Sequence, residues 1–109
     1  MDKKVEEYTD DFVKKLEQTE EFMYYHTQLS VIKNYPDLME EINAYRDENF
    51  DIQNRYEGEE LFDKMEEFTQ KHEKLLENPR AFEFLKAEAA FCRMMQEVNI
   101  RIIEGLNFQ

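Results

Sequence analysis

The chain has 109 residues, 26 acidic against 14 basic side chains, two glycines, two prolines and one cysteine. So few turn residues exclude a sandwich or barrel and suit a few long helices, and a net charge of −12 argues against a direct nucleic-acid ligand or an anionic membrane surface. One cysteine cannot form an internal disulfide, which points to the reducing cytoplasm, and no apolar run is long enough for a signal peptide or a membrane span.

Without a linker or low-complexity tract, the chain reads as a single domain, 1–109, of about five helices. The first is expected from Lys3 to Gln18, with Val5, Tyr8, Phe12 and Leu16 at helical spacing. Thr19, followed by Glu20 and Glu21, reads as an N-cap with acids on the first turn. The stripe then turns to Phe22, Tyr25, His26, Leu29 and Ile32. Tyr35-Pro36 breaks the chain, and Pro36 suits the first position of a third helix. Leu38, Ile42, Tyr45, Asn49, Ile52 and Tyr56 form one narrow stripe there, the pattern of a helix-on-helix seam. Gly58 is expected to mark the C-terminal stop of that helix or a turn after it. A fourth, from about Glu59 to Glu77, carries Leu61, Met65, Phe68, His72 and Leu75. Asn78 then reads as N-cap and Pro79 as the first residue of a new helix.

The last helix, about Pro79 to Leu106, differs from the rest. Its polar strip (Glu83, Lys86, Ala90, Arg93, Glu97, Arg101 and Glu104) is narrow. The apolar arc is about twice the ~100° that covering one partner needs. At about 42 Å for 28 residues, the helix needs cover on two sides. A second copy of the chain is the simplest cover; a central helix in a monomeric bundle is the alternative. The charge agrees: residues 79–109 are balanced, four of each sign, and the whole excess of acid lies before them. The candidate oligomer or partner interface is therefore Phe84, Glu88, Phe91, Met95, Val98, Asn99, Ile102 and Leu106. Glu88 and Asn99, polar inside an apolar arc, read either as register-setting residues of a seam or as rim residues.

Catalytic and metal chemistry finds little support. His26 and His72 lack the glutamate three residues earlier that a di-metal bundle requires, since Met23 and Thr69 stand there. Both read as satisfied core residues whose titration could tune assembly. Carboxylates three apart, such as Glu57 with Glu60 and Glu60 with Asp63, invite comparison with all-helical, magnesium-dependent nucleotide pyrophosphohydrolases. In so acidic a chain such spacing arises by chance. Cys92, inside the apolar arc, reads as a small core hydrophobe. No catalytic, cofactor or metal residue is assigned.

The segments TEEFMYY (19–25), YPDLMEEINAY (35–45), LLENPRAFEFLKAE (75–88) and IEGLNF (103–108) carry a resemblance to the YlbF/YmcA family, including its YheA-like branch. It covers about residues 5–108. The resemblance implies a small cytosolic helical hairpin that assembles as a dimer or higher oligomer, and a non-enzymatic regulator of competence, sporulation or biofilm formation. It also implies a link to RNase Y, because two members join a third protein in a complex that directs that endoribonuclease to particular transcripts. That complex can hold iron–sulfur clusters. This chain has Cys92 alone and not the cysteine-rich tail of YlbF, so no cluster is carried over. The implied partners are copies of the chain, related family members or RNase Y-associated proteins, with neither nucleic acid nor membrane bound directly.

Overall fold

The computed structural model describes residues 1–107, so Phe108, the end of the last resembling segment, lies outside the described residues. The protein is all-α: helix makes up 87% of the described residues, in six elements. These are α1 (Lys3–Leu16), α2 (Glu20–Ile32), α3 (Pro36–Arg55), α4 (Gly58–Lys71), α5 (Glu73–Glu77) and α6 (Pro79–Gly105).

The helix starts follow from local chemistry. Asp2 caps α1, its carboxylate accepting from the Lys4 and Val5 amides at 2.7 and 3.2 Å. Thr19 Oγ1 accepts from the Phe22 amide at 3.2 Å and donates to the Leu16 carbonyl at 2.6 Å, joining the end of α1 to the start of α2. Pro36 occupies the first turn of α3, where its missing N–H costs nothing. Asn78 Oδ1 accepts from the Arg80 and Ala81 amides at 2.9 and 3.3 Å and caps α6 as expected.

Two boundaries differ from the sequence expectation. Gly58 does not close α3, which ends at Arg55; after the extended Tyr56 and Glu57, Gly58 opens α4 with φ +63°. That left-handed backbone is open to glycine and costly for a side chain with a Cβ. The single helix expected over 59–77 is broken at His72, whose φ and ψ of −103° and 17° leave the helical region. This break turns about five helices into six.

The described chain falls into two compact units. One, residues 30–85, holds the end of α2, all of α3, α4 and α5, and the start of α6. The other, residues 1–29 with 86–109, holds α1, most of α2 and the rest of α6. In the 30–85 unit, α3 and α4 run antiparallel: Glu48 meets Lys71, the Gln53 amide meets the Met65 sulfur, and the Lys64 ammonium lies over the Tyr56 ring. Every residue of the two seam stripes is buried or half-buried. Ile32, Ile42, Ile52, Phe68, Leu75, Ala81 and Phe84 form the buried interior. Around it, the Arg46 guanidinium lies 5.7 Å from the centre of the Phe84 ring, and that of Arg80 4.2 Å from the centre of the Tyr35 ring.

In the other unit, Phe91 of α6 stacks on Tyr25 of α2 at 5.2 Å and meets Phe22 edge-on at 6.0 Å. Ala87 is the one buried apolar residue among its described residues. No residue of α1 is buried.

Candidate functional site

The polar centre of the 30–85 unit lies where α4 breaks. Nε2 of His72 is 2.7 Å from one Glu48 carboxylate oxygen, and Nζ of Lys71 donates to both, at 2.9 and 3.2 Å. Two consecutive residues of α4 and the break thus grip one carboxylate on α3. The His72 ring is held further by Tyr45, edge-on at 5.2 Å, and by Phe68 at 4.7 Å. The histidine turned toward that carboxylate and flanked by two rings is the residue at which α4 breaks. The hydrogen bond with His72 and, after it, the one from Lys71 hold the Glu48 carboxyl below its ordinary pKa. Burial pushes the neighbouring Tyr45 phenol up.

His72 is thus a satisfied histidine, with Glu48 the partner that periodicity did not reveal. The cluster has the chemistry of a clamp between helices. Beside it runs an open groove of about 350 Å³ lined by Asp51, Tyr56, Lys64 and Glu67 among others. No buried side-chain nitrogen or oxygen among the described residues lacks a hydrogen-bond partner. No group of three or more His, Cys, Asp or Glu among the described residues is arranged to hold a metal ion. Glu57, Glu60 and Asp63 are all exposed.

The second candidate surface is apolar and belongs to the other unit. On α1, Val5, Tyr8, Phe12 and Val13 are exposed, Tyr8 by 72% and Phe12 by 40%. On α6, Ile100 and Ile102 are exposed, and Leu106, just past its end, is exposed by 73%. Exposed apolar side chains clustered on two helices of one small unit differ from the scattered singles of an ordinary surface.

The expected interface residues separate along α6. Phe84 is 0% exposed and packs inside the 30–85 unit, so it has no surface to offer. Glu88, Phe91, Met95 and Val98 are half-buried, and Asn99, Ile102 and Leu106 are exposed. Two side chains expected in the core are not there. Cys92 is exposed, because it lies on the side of α6 away from Phe91. His26 is exposed and stacks on Phe22 at 5.6 Å, a contact along one helix rather than a core position. The exposed stripe of α1 was missing from the expected surface, although its spacing is visible in the sequence and nothing in the chain's periodicity supplies a partner for it.

The family model described as control of competence regulator ComK, YlbF/YmcA, matches residues 5–107. The chain belongs to the YlbF/YmcA family. Family membership makes regulation of competence, through control of ComK, the setting of this fold. No curated protein and no solved structure matches the chain. No helix among the described residues is long and apolar enough to cross a membrane.

Proposed function

We propose that this YlbF/YmcA family chain is a cytoplasmic regulatory adaptor without catalytic activity, which self-associates and works through protein–protein contacts. The observation that carries the reading is the exposed apolar surface of α1 and of α6 beyond Ala87. The clients of the adaptor are family members and the proteins of RNase Y-dependent mRNA processing, in the control of competence, sporulation or biofilm formation.

Light scattering on the purified chain is the first test. A mass of at least twice 13.4 kDa is expected, and a clean monomer overturns self-association. Incubation with magnesium and nucleoside triphosphates should give no turnover; hydrolysis abolished by Glu57→Gln or Glu60→Gln would replace the adaptor with a pyrophosphohydrolase. Binding of the purified chain to purified RNase Y and its associated family proteins tests the client assignment, and absence of binding removes it.

A further inference from the structure

Along α6 and one residue past its end, the strip beside the side that meets α2 carries Ala89, Cys92, Gln96, Asn99, Ile103 and Leu106. Successive spacings are 3, 4, 3, 4 and 3, the repeat of a coiled-coil seam. All six lie in the unit that lacks a buried interior. Five are exposed and Ile103 is half-buried, whereas Phe91, Met94, Met95 and Val98 on the other side are all half-buried. This seam is distinct from the face expected from the sequence, with which it shares only Asn99 and Leu106.

We propose that this seam docks on the same seam of a second copy in an antiparallel pair whose two-fold axis passes between Gln96 and Asn99. The proposal rests on the self-association argued above and assigns it a surface, a direction and a register. In an isologous contact, if residue i meets residue j of the second copy, then j meets i. With Gln96 opposite Asn99 of the second copy, Cys92 falls opposite its Ile103 and Ala89 opposite its Leu106. Each small residue then meets a large one, and the two amide side chains meet at the centre, where each can donate to and accept from the other. A parallel pair would set Ala89 and Cys92 against themselves at one end, and Ile103 and Leu106 against themselves at the other. Helices pack 8–10 Å apart according to the side chains at the contact. The parallel pair would therefore be too wide at one end or hollow at the other, while the antiparallel pair keeps one spacing throughout. At the flank, Arg93 falls opposite Ile100 of the second copy, and the nearest charges there, Glu97 and Glu104, are of opposite sign. No like charges are forced together.

Cys92, the chain's one cysteine, makes the register measurable. Disulfides need Cα atoms about 4.4–6.8 Å apart, and 11 residues of helix span about 16 Å. Positions 92 and 103 of one chain therefore cannot be joined, whereas 92 of one copy and 103 of the other can. Under mild oxidation, Ile103→Cys should give a covalent dimer whose linked peptides join positions 92 and 103. The unaltered chain, and Ile103→Cys combined with Cys92→Ser, should give none. A second variant, Ala89→Cys with Leu106→Cys in the Cys92→Ser chain, should link 89 to 106 and keeps the test alive if the first misfolds. A covalent dimer of the unaltered chain through Cys92 itself overturns the antiparallel direction. A dimeric mass with neither engineered link shows that the copies meet elsewhere and overturns the seam while self-association stands. A monomeric mass removes both.

Discussion

Of the eight buried apolar residues among the described ones, seven lie in the 30–85 unit and the eighth, Ala87, lies in the other. Yet the poorer unit is not the more polar one: it carries the Val5–Tyr8–Phe12 stripe and the isoleucines of α6. The difference lies in how each stripe finds a partner. The stripes of α3 and α4 are separated by one short turn, so the antiparallel hairpin brings them together at small entropic cost. The stripe of α1 has no such neighbour, since α2 presents its rings to Phe91 of α6. One unit buries its apolar stripes by folding, and the other keeps apolar surface exposed.

The largest test of that contrast is truncation in the packed unit. Phe84→Ala should lower the free energy of unfolding by about 3–5 kcal/mol, read from urea titration. A loss of less than about 1 kcal/mol would mean that this interior is not the chain's source of stability. Helix punctuation comes next. Asn78→Ala removes the acceptor for the Arg80 and Ala81 amides and should cost about 1 kcal/mol. Gly58→Ala should cost a similar ~1 kcal/mol through the positive φ alone, because a Cβ there meets nothing within 4 Å.

The Glu48 clamp gives a pH signature. Its carboxyl is held below the ordinary value in the folded state. The stability it adds is present above the unfolded pKa of about 4.3, and is lost as pH falls through the folded value beneath it. Between pH 5 and pH 3, the unaltered chain should therefore lose more stability than Glu48→Gln, measured as the shift in urea midpoint. Equal acid sensitivity would mean that the clamp adds nothing to folding.

Phe12→Ser should have the smallest effect on the isolated fold, within about 0.5 kcal/mol as for other surface substitutions. Measured at concentrations where the chain is monomeric, a larger loss would place Phe12 in a core and erase the contrast between the units. Amide exchange sharpens the same point, since α1 should exchange far faster than α3 in dilute solution.

Periodicity and punctuation determined much of this protein. The all-α class, the α3–α4 seam, and the caps at Thr19 and Asn78 were legible because each depends on residues within a turn or two of one another. Family membership was legible in the same local blocks. What only the tertiary structure decided depends on residues far apart in sequence. The partner of His72 at the break is Glu48, 24 residues earlier on another helix. Cys92 looked like core because a wheel counts apolar neighbours, and a wheel cannot say which of two apolar sides α2 covers. Phe84 and Leu106 shared one face of one helix, yet the first is sealed within the 30–85 unit and the second is open. A net charge of −12 and a neutral last helix directed attention to α6. Which side chains of that helix are buried was settled by packing, because burial depends on what lies opposite a side chain and not on its own chemistry.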